Sequence, residues 1–310
     1  MPTHLEELAQ WRAKVPADLA EGTAIEAIGK LKKAGCIRSI TLINGLPRSA
    51  STILAKALAS SDDFHLPQNT VFHEVLTDSV AVPPGSNILM GSLVELGVVP
   101  PKPGNKPVDL VLKTMSDEFT GDALKSFLPY VDNVVSTVRD PARHISCIVE
   151  KYAYDENLAP GSIEKVARDS WNAMNDNINM IDSWRAAHSD QKLQHAVIST
   201  GQLTQLPEET LKYVCEEFSK GNHLIRFNQD MVDNWRPKVF DPYCDFWAIN
   251  EMRATRFNRA PYIPFSRKDV GSFGDLYDEL KPMFDSIKLR YPHAQSWAES
   301  VQDKNRQHIL

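Results

Sequence analysis

The chain lacks a basic surplus: 34 Lys and Arg stand against 40 Asp and Glu over 310 residues, a formal net charge of −6. A protein that grips nucleic acid by its phosphates needs the opposite balance, so no nucleic-acid partner is expected. No run of about 18 apolar residues exists either, which predicts no membrane-spanning helix and no membrane partner. The first residues, Met1-Pro2-Thr3-His4-Leu5-Glu6-Glu7, carry neither a basic region nor the apolar core of a secretory leader, so a cytoplasmic location is expected. Cysteine is scarce as well. Cys36, Cys147, Cys215 and Cys244 lie far apart and form no CxxC pair. That predicts reduced thiols rather than a disulfide framework or a zinc site. What remains is an ordinary globular composition, 42% hydrophobic and 24% charged, with enough length for a full core.

Thr3-His4-Leu5-Glu6 spells a capping box, and Leu5, Leu8 and Trp11 follow at helical spacing up to Pro16. A second helix is predicted over 18–33, with Ile25, Ile28 and Leu31 on one face and Gly35 as its stop. Residues 1–36 thus read as an N-terminal helical extension. The segment 39–44 reads as a short buried strand ending at Gly45, and 52–59 as a helix. Further strands are expected at 109–113, 133–138 and 195–199, with helices at 140–152, 162–188 and 207–218. In the long middle helix Ile163, Val166, Ser170, Ala173, Ile178, Ile181 and Trp184 fall near one stripe. Short apolar strands alternating with helices predict an α/β fold of three layers, a central parallel sheet covered by helices on both faces. One domain over 1–310 is expected. Its Pro- and Gly-rich stretch 81–107 reads as a loop or lid, and 240–267 is aromatic and basic without clear periodicity.

Between the first strand and its helix lies Gly45-Leu46-Pro47-Arg48-Ser49-Ala50-Ser51-Thr52. In that position backbone N–H groups and a helix N-terminus can cradle an oxyanion. Arg48 adds a fixed charge with a planar donor fork, and the hydroxyls of Ser49, Ser51 and Thr52 add donors. The plain alternative is a tight turn with a capped helix. Set against GxxxxGK[ST], the loop has Ala50 for the second Gly and Ser51 for the Lys, so a nucleoside-triphosphate loop is disfavoured. His73-Glu74-Val75-Leu76-Thr77 begins like HExxH but ends in Thr, so a zinc protease site fails.

With its loop, the chain resembles the sulfotransferases that use 3′-phosphoadenosine 5′-phosphosulfate (PAPS). A strand ending in Arg139-Asp140-Pro141, then Ser146, is similar to that family's second motif. Val197–Leu203 followed by Pro207-Glu208-Glu209-Thr210-Leu211 is similar to a third, and Arg267-Lys268-Asp269-Val270-Gly271 to a C-terminal basic-glycine loop. The four occur in family order over roughly three quarters of the chain. The resemblance implies a fold like that of the P-loop nucleotide hydrolases. It also implies transfer of a sulfuryl group from PAPS, without metal, to a hydroxyl or amine of a small-molecule acceptor. It assigns Pro47, Arg48, Ser49, Ala50, Ser51 and Thr52 to the phosphosulfate, and Arg139, Ser146, Arg267, Lys268 and Gly271 to the 3′-phosphate. Guanidinium, hydroxyl and glycine backbone groups suit those anions.

The family pattern is not complete. Ser146 stands one place early, at the position before Cys147. Where many members end their second strand in Lys-Thr-His, this chain has Lys113-Thr114-Met115, and a thioether takes no proton. A base is then sought in the segment after the first helix, as His73 or Glu74, with Arg48 and Lys113 as cations on the transferred group. A nucleotide-dependent kinase or phosphotransferase, and a non-catalytic nucleotide-binding protein, stay open beside the transferase. Neither the acceptor nor the oligomeric state is legible.

Overall fold

Strands apolar on both faces need cover on both faces, and the computed structural model supplies it. The structure describes residues 13–20, 23–60, 64–65, 93, 99, 107–154, 159–221, 226–234 and 265–295. Five strands, β1 (Ile37–Gly45), β2 (Phe64–His65), β3 (Val108–Met115), β4 (Asn133–Val138) and β5 (Gln194–Ser199), form one sheet in the order β2-β3-β1-β4-β5. Among the described residues every pairing is parallel. The alternation predicted from the sequence is therefore a doubly wound α/β sheet.

Side-chain alternation sorts the core. Ile43, Val111, Val135, Ala196 and Ile198 face one side, where α3 (Ser51–Leu58), α8 (Pro207–Ser219) and α9 (Asp230–Asp233) cover them. On the other side Ile40, Leu42, Leu110, Leu112 and Val134 pack with α1 (Ala17–Ala20), α2 (Ala24–Lys33) and α4 (Gly121–Phe127). Val138 and Val197, also on that side, pack with α5 (Pro141–Tyr154), α6 (Pro160–Ala187) and α10 (Gly274–Arg290). The short α7 (Thr200–Gln205) follows β5, its N-terminus capped by Ser199. Among the described residues no helix is long and apolar enough to cross a membrane.

Several sequence expectations change in detail. The helix expected over 18–33 is not continuous. Thr23 is extended and accepts from Glu26 N, while Glu26 answers the Thr23 N–H, so a capping box restarts the chain as α2. Gly35, at φ 73, ends α2 in a Schellman motif, with Gly35 N bonded to Lys32 O and Cys36 N to Leu31 O. Ile28 and Leu31 are wholly buried, so this helix belongs to the main core. Along α6 the buried stripe is rotated from the expected one: Trp171, Met174 and Asn177 join Ile163, Ser170, Ile178 and Ile181, while Val166, Ala173 and Trp184 are half-buried. Helices α4, α7, α9 and α10 and strand β2 have no counterpart in the sequence reading. The Pro/Gly-rich stretch and the aromatic segment lie outside the described residues, apart from Leu93, Val99 and Pro107 in the former and residues 265–267 in the latter.

Candidate functional site

The strand order reverses about β1: its helix leads toward β2 and β3 on one side, and β4 and β5 lie on the other. A ligand crevice in such a sheet opens outside the C-terminal ends of the strands at that point. The loop 45–51 sits there. Leu46 N donates to Thr137 O at 3.0 Å, extending the sheet by one bond, and Ser49 N donates to Leu46 O at 3.0 Å. Pro47 and Arg48 are the two central residues of that turn. Arg48 has φ 64, the conformation a type II turn requires at its third residue and glycine most readily adopts.

Ala50, at φ 62, is the N-cap of α3 and is left-handed too. Two non-glycine residues of this hand, one either side of Ser49, cost about 1–2 kcal/mol each. Such strain persists only where the surroundings enforce it, and it clusters at ligand clamps. The reward is a backbone of alternating hand whose successive N–H groups can converge on one point. Ala50 offers no side-chain cap to α3, and the first helical bond inside the loop is Leu54 N to Ala50 O. The first-turn amides of α3 thus open toward the same crevice. Gly45 must be glycine, because a Cβ there would stand 2.6 Å from Ser51 Cβ.

The loop is tied to β4 from below. Ser49 Oγ lies 2.5 Å from Thr137 Oγ1, and both residues are fully buried. Ser49 therefore turns inward, and its hydroxyl serves the loop's own structure, not an anion in the crevice. Ser51 and Thr52 begin α3 and are nearly buried. Arg139, one residue past β4, donates through Nη1 to the carbonyl of Arg48. Asp140 then caps α5, accepting from Ala142 N at 3.0 Å, with Pro141 as the first helical residue. The Arg-Asp-Pro spelling is thus a strand end, a cap and a helix start, and it delivers Arg139 to the loop.

Beneath them lies His144. It is wholly buried, edge-on to Trp171 with ring centroids 6.2 Å apart, and neither ring nitrogen has a hydrogen-bond partner. Burial, and then the Arg139 guanidinium, hold its pKa down to about 3; the Pro47 backbone works the other way without meeting hydrogen-bond geometry. The imidazole is neutral at physiological pH and adds no charge below the loop. Ser146 and Cys147 are both half-buried on α5.

Lys113 pairs in register with Ile43 and Met115 with Gly45, so both stand at the crevice end of β3. Lys113 shares the α3-covered face with Val111 and is only 8% exposed. The sequence reading missed Lys56 on α3, a lysine just 1% exposed. The C-terminal loop is brought to α5, where the Arg143 guanidinium lies 4.0 Å over the Phe265 ring. Gly271 has φ 55, the left-handed region, and Lys268 is exposed. Arg267 is committed elsewhere: its Nε donates to both Asp278 carboxylate oxygens at 2.9 and 2.8 Å, across α10's first turns. His73 and Glu74 lie outside the described residues. Among the described residues no three His, Cys, Asp or Glu side chains cluster as metal ligands would.

A polar row behind the loop also escaped the sequence. Asn44 Nδ2 donates to Ser136 Oγ at 3.3 Å, Ser136 meets His195 Nε2 at 2.9 Å, and His195 Nδ1 meets Asp182 Oδ1 at 3.0 Å. Tyr291 Oη donates to the same carboxylate oxygen, and Asn177 Nδ2 to Asn44 Oδ1 at 3.2 Å. The Ser-His-Asp order is that of a nucleophile triad. Ser136 is fully buried in mid-strand, however, where no substrate reaches it. The row is structural. A surface groove of about 490 Å³ lined by Arg185, His188, Lys192 and Gln194 lies at the N-terminal end of β5, the edge opposite the loop.

The class so defined is a doubly wound α/β protein with a strained strand-to-helix loop at its switch point. No family model and no curated protein matches the chain. Among solved structures it is similar to a sulfotransferase domain from the curacin biosynthetic pathway, at 15% identity and a TM-score of 0.47, over 82% of this chain and 97% of that one.

Proposed function

We propose that the protein is a sulfotransferase that takes the sulfuryl group of PAPS and passes it to a hydroxyl or amine of a small-molecule acceptor. One observation carries the reading: a left-handed pair, Arg48 and Ala50, opens an uncapped helix start at the switch point, and Arg139 reaches into the same loop. The donor set fits a phosphosulfate, since backbone amides and a guanidinium offer only donors to an anionic group. Arg139 and Ser146, with Lys268 and Gly271 on the loop brought to α5, suit the 3′-phosphate.

In the proposed reaction the acceptor oxygen or nitrogen attacks sulfur in line. An acceptor–sulfur bond forms, the bridging S–O bond breaks, and its electron pair stays on the phosphate oxygen of 3′,5′-adenosine bisphosphate. Arg48 and the first amides of α3 stabilise that growing charge. Lys113, at the crevice end of β3, is the second candidate cation. The acceptor proton goes to a base in the segment holding His73 and Glu74, because Met115 cannot take it. The transferred group bears less charge than a phosphoryl group, so protein cations suffice and no metal is called for. Met115 also motivates a second reading, a nucleotide-binding protein without turnover.

Calorimetric binding of 3′,5′-adenosine bisphosphate beside ADP and Mg-ATP, with and without EDTA, tests the reading. Metal-independent preference for the bisphosphate, lost in Arg139→Ala, is expected. Binding of Mg-ATP alone, or of no nucleotide, overturns it. Turnover with any acceptor then separates the two readings, and Glu74→Gln or His73→Ala is expected to abolish turnover while sparing bisphosphate binding.

A further inference from the structure

We infer that the end of β4 sets the shape of the oxyanion loop, with Thr137 as a positioning residue for a site it never touches. The inference rests on the sulfotransferase reading of that loop. Its ground is the strain at Arg48 and Ala50, which the segment 45–51 does not enforce alone. Within the loop one described bond, Ser49 N to Leu46 O, closes the turn. Three further ties come from the end of β4 and the residue after it: Leu46 N to Thr137 O, Ser49 Oγ to Thr137 Oγ1, and Arg139 to the Arg48 carbonyl, while the ends of the segment are held by Ser116 N on Gly45 O and Leu54 N on Ala50 O.

One tie falls on a strained residue and another between the two. Arg139 holds the carbonyl of left-handed Arg48, and Thr137 holds Ser49, the residue between Arg48 and left-handed Ala50. Because Ser49 and Thr137 are fully buried, water cannot replace either hydroxyl when its partner is lost. Arg139 is also the candidate ligand of the 3′-phosphate. An anion at Arg139 and one in the loop therefore share a mechanical link, and each subsite reports the state of the other.

The test avoids changing charge, since losing a cation weakens any anion at a distance. Thr137→Val keeps size and charge and leaves the Thr137 backbone bond, removing only the hydroxyl. Thr137→Ser restores the hydroxyl. Binding of adenosine 5′-phosphosulfate, which has no 3′-phosphate, is measured for each beside 3′,5′-adenosine bisphosphate, with thermal melts to verify folding. Thr137→Val is expected to weaken the 5′-only probe about tenfold, and Thr137→Ser to restore it. Arg139→Lys, with charge retained but the planar fork lost, is expected to weaken the same probe although it cannot contact Arg139 through a 3′-phosphate.

If folded Thr137→Val binds the probe within twofold of the wild type, the inference is overturned while the sulfotransferase reading stands. If Arg139→Lys affects only the bisphosphate, the coupling half falls. If the wild type binds neither nucleotide, the sulfotransferase reading and the inference fall together.

Discussion

His195 donates its Nδ1 proton to Asp182 Oδ1 across 3.0 Å, and this contact fixes the imidazole's tautomer. A carboxylate can only accept, so Nε2 is left to accept from Ser136. Burial is the largest influence on His195 and lowers its pKa, although Asp182 pulls the other way. Asp182 itself is raised by burial, but its bonds from His195 and Tyr291 outweigh this and hold it low. A neutral histidine therefore donates to an ionised carboxylate.

Stability should fall as pH drops below the ordinary histidine value of 6.5. In that range the unfolded chain takes up protons at His144 and His195 that the folded chain refuses, so the unfolded state gains. The loss from His144 runs from 6.5 down to its folded value of about 3. Each such histidine contributes a slope of about 1.4 kcal/mol per pH unit. Urea melts between pH 8 and 5 measure it. His144→Gln is expected to flatten the slope by that amount, and an unchanged slope would show that His144 titrates normally.

Gly45→Ala should damage the loop. The new Cβ would meet Ser51 Cβ at 2.6 Å and Oγ at 2.7 Å, and neither β1 nor the start of α3 is free to retreat. Overpacking of this kind costs about 1–3 kcal/mol. A lowered melting temperature together with weakened bisphosphate binding is expected; wild-type values for both would place the loop differently.

Ala50→Gly should act in the opposite direction. Glycine accepts φ 62 without the steric cost that alanine carries, and part of the gain is cancelled by the freer unfolded chain. A net stabilisation of about 0.5–1 kcal/mol is expected by chemical denaturation. A destabilised variant would mean that the Ala50 methyl group contributes packing that outweighs the strain.

Asp278→Asn tests the fourth motif. Arg267 must leave Asp278 before it can serve a nucleotide, and exposed pairs of this kind hold weakly. Loosening it, with the Asp275 carboxylate still 3.6 Å away, is expected to tighten 3′,5′-adenosine bisphosphate by less than about fivefold. No change, with Arg267→Ala equally silent, would remove Arg267 from the site.

The sequence by itself determined the sheet and where the loop falls on it. Four of the five strands were legible because each is a short apolar run buried on both faces, and β4 was read to its exact bounds. Helices α5, α6 and α8 were legible from periodicity and from Pro141 and Pro207 at their starts. Strand β2 is only two residues long, and α10 carries Pro282 in its interior, which masks its pattern. Tertiary structure alone decided the side chains' partners. Ser49 reads as a donor to an anion until Thr137, 88 residues away, claims it. Arg267 reads as a phosphate ligand, but Asp278 holds it in this structure. The row from Asn44 to Asp182 has no spacing signature, since its members come from three strands and a helix. Backbone periodicity is a local property written in neighbouring residues, whereas a hydrogen-bond partner is chosen by whatever the parallel crossovers bring alongside.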